Sequence, residues 1–370
     1  MDTLTQARAA TDALFELVRP EAMYERPIPE RHRIIFYLGH LEAFDWNLIG
    51  DRPLHPTFDR LFAFGIDPPP GKLPEDQPKD WPSIDEVFGY CRKVREEIDA
   101  TPIPDQLLHV AVEHRLMHAE TLAYILHQLS YEHKIEPVLD DPPLLRRTEQ
   151  STQMIEIPAG AARLGRTPQE GFGWDNEFQA HTVQVPAFAI SSAKVTNGEY
   201  LDFVRQGAAA PFFWACRGGE WFYRGMWRET PLPLDWPVYV THDEASAYAK
   251  WRGMRLPTEP EFHRAACGTP VSANLDFRQW DPIPVDEGAP GVQQLVGNGW
   301  EWTSTVFAPF PGFQPFPFYP NYSEPFFDGQ HYVLKGASPR TAACFLRASF
   351  RNWFRPAYPY IYATFRLVQA

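Results

Sequence analysis

The sequence predicts an α+β chain in two parts, a helical bundle first and a mixed, β-rich part second. Two observations predict it. Through residue 131 apolar residues recur at helical spacing over four segments. From residue 152 the pattern changes to short β-like runs, glycine turns and crowded aromatics. Two domains are also what 370 residues lead one to expect. We place the boundary at 148/149, giving 1–148 and 149–370, within the stretch DDPPLLRRTEQST.

The first helix spans about 3–18, with Leu4, Ala7, Leu14, Leu17 and Val18 as its apolar stripe. The second runs through RHRIIFYLGHLEAFDWNLI with Pro29 near its start, and carries His40 among Leu38, Leu41 and Phe44. Residues 51–82 are proline-rich and read as a long irregular connection. Ser83 with Glu86 three residues on forms a capping box that opens the third helix. On that helix Arg92 and Arg95 share a face, either as part of a solvated charged surface with Lys93, Glu96 and Glu97 or as a clamp for a carboxylate. The fourth helix, Gln106–Tyr131, carries His114, His118 and Glu120.

Residues four apart stack on one helix face, so His114 and His118 can address one ion, and facing helices of a bundle can complete such a site. Imidazoles accept zinc, copper, iron or nickel. In the second part MIEIPAGAARLG, HTVQVPAFAIS and WPVYVT read as strands, and TNGEYLDFVRQG and HDEASAYAKWRG as short helices.

Composition narrows the partners. A net charge of −13 argues against nucleic acid and anionic membranes. Four scattered cysteines without CxxC spacing fit a reducing compartment. With no signal-peptide pattern and no membrane-length apolar run, a cytoplasmic protein acting on small molecules is expected.

LxxGHxxAF around His40 and HRLMHAE around His114 and His118 resemble the three-histidine site of DinB-like bundles. MIEIPAGAARLG, KVTNGEYLDFV, RLPTEPEFHRAA, GNGWEWTS, LKGAS and FRL resemble the formylglycine-generating-enzyme fold, which is related to C-type lectins. In this order the two halves resemble the EgtB-type sulfoxide synthases of ergothioneine biosynthesis, with ovothiol and selenoneine synthases as relatives. The resemblance implies iron(II) held by His40, His114 and His118, with molecular oxygen as co-substrate. It implies a C–S bond formed between a thiol and the imidazole of hercynine, giving a sulfoxide.

It further implies Arg92 and Arg95 as holders of the sulfur substrate's carboxylate. Tyr319 would be the proton donor, with Tyr322, Asn352 and Trp353 as contacts of the trimethylated histidine, and Glu120 either an orienting group or a surface carboxylate. Relatives using γ-glutamylcysteine carry Asp where this chain has Phe354, so free cysteine, or a selenosugar in the selenoneine branch, is the expected donor. Met117, apolar before the second helical histidine, agrees with those branches. Glu301 in GNGWEWTS is a candidate ligand of a structural calcium, the alternative being a plain tight turn. Cys344 stands alone in its region, so formylglycine generation is not expected. Two rivals are a zinc- or nickel-dependent thiol transferase and a lectin-like binding module.

Overall fold

Residues 3–63, 73–137, 152–267, 274–285 and 291–369 are described by the structure, a computed structural model. It divides into two compact units, Met1–Asp140 and Asp141–Ala370. The expected boundary at 148/149 lies outside the described residues.

In the first unit α1 (Leu4–Phe15) starts where the Thr3 hydroxyl accepts the Gln6 amide at 3.2 Å. It ends earlier than expected, and Val18 instead pairs with Lys134 in an isolated bridge. Helix α2 (Ile34–Ile49) begins later than the Pro29 signal implied. The Glu25 and Met23 carbonyls accept the amides of Ile34 and Ile35 at 3.1 and 2.7 Å, so the chain loops back before regular helix starts. The connection expected to be irregular contains a short helix, α3 (Pro56–Leu61), capped by the His55 ring on the Phe58 amide at 3.1 Å. Helix α4 (Ile84–Asp99) opens on the capping box: the Ser83 amide donates to Glu86 at 2.9 Å and the Glu86 amide donates back at 3.4 Å.

Helix α5 (Asp105–Gln128) has 24 residues, about 36 Å at 1.5 Å per residue. From Val110 to His127 nearly every residue is buried, so it is the central helix, with α1 and α2 against it and α4 against α2. Among the described residues no helix is long and apolar enough to cross a membrane.

Among its described residues the second unit has four small sheets. One orders β1 (Met154–Ile157), β4 (Phe188–Ser191), β13 (Val368–Gln369) and β8 (Met254–Arg255). Another orders β11 (Asn352–Phe354), β10 (Tyr332–Ala337), β9 (Gly299–Val306) and β12 (Ala363–Thr364). The hairpin β2 (Gly160–Leu164)–β3 (His181–Val185) and the meander β5 (Trp214–Arg217), β6 (Glu220–Arg224), β7 (Glu229–Pro231) complete the set. Phe188, Ile190, Phe262, Leu295, Phe310 and Val368 share one apolar core.

Helices α6 (Asn197–Arg205) and α7 (His242–Trp251) fill the two expected places. A third, α8 (Glu259–Ala266), was not expected. All three start from a capping box, Thr196/Glu199, Thr241/Glu244 and Thr258/Glu261.

GNGWEWTS is a turn that launches β9. Asn298 adopts φ +59° and its side chain bonds the Ile283 amide and carbonyl at 2.9 and 2.8 Å. Gly299 follows at φ +128°, where a Cβ would lie 2.9 Å from Thr364 and Tyr239. The calcium expectation for Glu301 is corrected here. Its carboxylate is fully buried and accepts from Lys194 Nζ at 2.6 Å and from Arg366 Nε and Nη2, both at 2.8 Å. Two cations already neutralise it and three hydrogen bonds engage its oxygens, so it carries no net charge to attract a third cation. Those cations outweigh the cost of burial and hold Glu301 below the usual carboxylate range.

Candidate active site

Helix α2 supplies His40 and helix α5 supplies His114 and His118, all buried. Their ring nitrogens converge. His118 Nε2 lies 3.3 Å from His40 Nε2 and 3.2 Å from His114 Nε2, and one ligand atom from each residue falls within 4.8 Å of the others. Among the described residues it is the one such cluster of three.

The protonation states follow from the surroundings. His40 Nδ1 faces the Phe62 carbonyl at 2.6 Å. A carbonyl can only accept, so Nδ1 carries the proton and Nε2 is a bare lone pair. Burial lowers the pKa of His40 to about 4, partly offset by that hydrogen bond. Burial, and then the neighbouring imidazoles, push His114 and His118 well below the usual histidine range. At neutral pH all three rings are uncharged, the form that ligates metals. The His118 nitrogen could at best donate to one neighbour, whereas a cation satisfies all three at once.

The spacing fits such an ion. With a metal–nitrogen bond near 2.1 Å, a 3.2 Å separation subtends roughly 100° at the metal. Three imidazole donors leave positions open for exchangeable ligands. The Phe44 ring stacks on His114 with centroids 3.4 Å apart, and Phe36 stacks on His40 at 4.8 Å. The donor set therefore fits a first-row divalent ion.

A buried charge network keeps the two ligand helices in register. Arg115, next to His114, donates to Glu42 at 3.0 Å, to Asp45 at 2.6 Å and to the Leu41 carbonyl at 3.1 Å. All three acceptors lie on α2 within five residues of His40. The pairing pins the rotation of α5 against α2, and so the angle at which the imidazoles meet.

Of the pair expected to hold a carboxylate, Arg95 is engaged by this network. Arg95 makes a bidentate pair with Asp12, both bonds 2.7 Å, and donates again to Glu42 at 2.9 and 2.7 Å. Its planar fork is filled by internal carboxylates. Arg92 is exposed, and with Arg95 it borders a cavity of about 430 Å³ lined also by Phe15, Met23, Leu38 and Phe88. None of the three histidines lines that cavity.

In the second unit Tyr319, Tyr322 and Trp353 fall in one aromatic cluster. Two successive turns, the Tyr319 amide on the Phe316 carbonyl and the Tyr322 amide on the Tyr319 carbonyl, hold the tyrosines 5.6 Å apart between centroids. Tyr322 meets Trp353 edge-on at 5.5 Å and stacks on Trp174 at 4.0 Å, while Phe307 covers one face of Trp353 at 4.3 Å. Asn352 turns its side-chain oxygen to the Trp353 amide at 2.9 Å, which leaves the amide nitrogen as its donor.

Beneath the cluster lies a segment that motif reading passed over, Trp174–Glu177, all four residues buried. Ser323 donates to Asp175 and accepts from Asn176 at 3.0 Å, and Glu177 accepts from Arg347 and Ser349, both at 2.6 Å. Burial pushes Asp175 up to about 6, against its hydrogen bond from Ser323. Burial and the Asp175 charge push the Tyr319 phenol up to about 12, so it keeps its proton at neutral pH. A run of charged and polar residues beside a tryptophan, GWDNEF, was the available signal.

Comparison with known proteins agrees with this division. The model for a sulfatase-modifying factor enzyme 1-like domain matches residues 142–281 and 278–370, and that for the DinB superfamily matches residues 3–102. The chain thus joins a DinB-type bundle, which carries the three imidazoles with α5, to a domain of the sulfatase-modifying-factor type. The hercynine oxygenase of Mycolicibacterium smegmatis is 32% identical over 99% of this chain and 97% of its own length. That of Mycolicibacterium thermoresistibile is 34% identical over 90% and 85%. Ergothioneine biosynthesis protein 1 of Schizosaccharomyces pombe is 30% identical over 96% of this chain, which spans 54% of that relative. This chain belongs to the hercynine oxygenase family of ergothioneine biosynthesis.

Proposed function

We propose that the protein catalyses iron(II)- and oxygen-dependent formation of a carbon–sulfur bond between a thiol and the imidazole of hercynine, giving a sulfoxide. The observation that carries this reading is the convergence of three neutral imidazoles from α2 and α5 in a chain of this family. The reaction balances with one oxygen molecule. The thiol hydrogen and the imidazole carbon's hydrogen leave as water with one oxygen atom, and the other oxygen becomes the sulfoxide. Two electrons leave in making the C–S bond and two in oxidising sulfur. Iron, when bound, supplies the redox chemistry and a common point for the reactants.

The chain's own groups do the rest. His40, His114 and His118 hold the ion on rigid, buried helices. Tyr319 Oη keeps a proton available for reduced oxygen, a donor state consistent with its raised pKa. Tyr322, Asn352 and Trp353 contact hercynine, whose trimethylammonium group suits aromatic faces. Phe354, at the position of the γ-glutamyl-binding carboxylate, stacks on Tyr358 at 5.4 Å and 11°. A stacked aromatic pair there offers no carboxylate to a glutamyl ammonium, which supports free cysteine as donor. The same residue is compatible with a selenosugar donor and C–Se bond formation. The four cysteines form no disulfide, which agrees with a cytoplasmic setting.

Anaerobic reconstitution with iron(II), then oxygen, hercynine and a panel of cysteine, γ-glutamylcysteine and a selenosugar, tests the reading. Mass spectrometry is expected to show the hercynine–cysteine sulfoxide. Activity with zinc or nickel and no oxygen uptake would instead establish a thiol transferase. Tyr319→Phe is expected to lower sulfoxide formation by about two orders of magnitude or more with hercynine binding retained. Product at the wild-type rate would remove Tyr319 from the proton path.

A further inference from the structure

Gly39 precedes His40 in the middle of α2, where glycine is a poor helix former. Its place is explained by what lies beside it. A Cβ on residue 39 would fall 2.5 Å from Cε2 and Cζ of the Phe62 ring and 2.6 Å from Cδ1, closer than real Cβ contacts come. Phe62 is fully buried, one residue past α3, with Phe58, Trp81, Tyr90 and Phe36 around its ring. Helix α3 itself is fixed to α4: Asp59 accepts the Leu54 and His55 amides at 2.8 and 2.9 Å and the Tyr90 hydroxyl at 2.8 Å. Beside that close approach the Phe62 carbonyl lies 2.6 Å from His40 Nδ1.

We propose that the Phe62 backbone carbonyl is the positioning group that orients His40 as a metal ligand, and that Gly39 is the gap in α2 that admits it. This rests on the three-histidine metal reading. The carbonyl fixes the proton on Nδ1, sets the rotation of the ring and makes Nε2 the donor that faces His118. The other two ligands sit four residues apart on one helix and share its geometry. His40 comes from a different helix, so a separate device is needed to aim it.

The test uses the full-length protein and cobalt(II), whose absorption bands report binding without turnover. In Gly39→Ala the methyl group displaces Phe62 and its carbonyl, and cobalt affinity is expected to fall about 10- to 100-fold. The double variant Gly39→Ala/Phe62→Ala removes the obstructing ring and is expected to regain part of that loss. A purely packing role for Gly39 predicts lower thermal stability with cobalt affinity equal to the wild type's, and that result overturns the inference.

A second measurement holds even where Gly39→Ala does not fold. In zinc-loaded wild-type protein, long-range proton–nitrogen NMR is expected to show the His40 proton on Nδ1, hydrogen-bonded and slow to exchange. A metal-bound or unprotonated Nδ1 overturns the inference. If the wild type takes up neither cobalt nor zinc, the metal reading itself has failed.

Discussion

His118→Ala abolishes metal uptake and, with it, turnover. Its Nε2 is the nitrogen within 3.3 Å of His40 and 3.2 Å of His114, so its loss leaves two imidazoles without the one that both face. Removing a group that merely supports a ligand costs roughly 10- to 100-fold in metal affinity, and removing the ligand itself costs more. Cobalt titration and elemental analysis after iron reconstitution are expected to show one equivalent in the wild type and none in the variant. The ring is buried in an apolar helix face, so circular dichroism should confirm that the bundle persists. A full equivalent retained in the variant would show that the three residues are not a metal site.

Glu301→Gln has the largest expected effect on stability. Lys194, Glu301 and Arg366 are all fully buried, and removing the anion leaves two cations together in the interior. Breaking a buried ion pair in this way costs about 3–5 kcal/mol. Urea unfolding followed by tryptophan fluorescence reads the right unit, because ten of the 12 tryptophans lie in Asp141–Ala370. The pH dependence has a definite sign. Glu301 has its folded pKa below the ordinary glutamate value of 4.5, so its contribution is complete above that value and is lost as pH falls through the folded pKa. The gap between variant and wild type should therefore shrink below about pH 4.5. A variant as stable as the wild type at pH 7 would refute the network's structural role.

Legibility in the sequence followed the range of the interactions. Helix α4 could be read because its capping box is local, four residues long, and α6 and α7 start from boxes of the same kind. Helix α8 carries the same Thr258-x-x-Glu261 signal, but Pro260 and a length of eight residues mask its helical pattern. Helix α3 was hidden inside a proline-rich stretch where Pro56 starts a helix rather than breaking one. The histidine triad was half legible: His114 and His118 are one helical turn apart, whereas His40 joined them only through the resemblance to a known family.

The partners of Arg95 and Glu301 were not legible at all. Asp12 and Glu42 lie 83 and 53 residues from Arg95, and Arg366 lies 65 from Glu301. An arginine on a helix face looks the same in sequence whether its fork awaits a substrate or is filled by a carboxylate from another helix. The buried Glu42, Asp45 and Arg115, charges set among apolar neighbours, were the visible hint that an internal network existed.

Strand β13 sits between β4 and β8, and Arg366 just before it bonds the Ser191 carbonyl 175 residues earlier. Helices close on neighbours four residues away, within microseconds, whereas a pairing across such a stretch of chain waits on a long loop search. Refolding from denaturant should be biphasic, with helical ellipticity returning quickly. The near-ultraviolet signal of the aromatic half should return later, at the pace of that one distant strand.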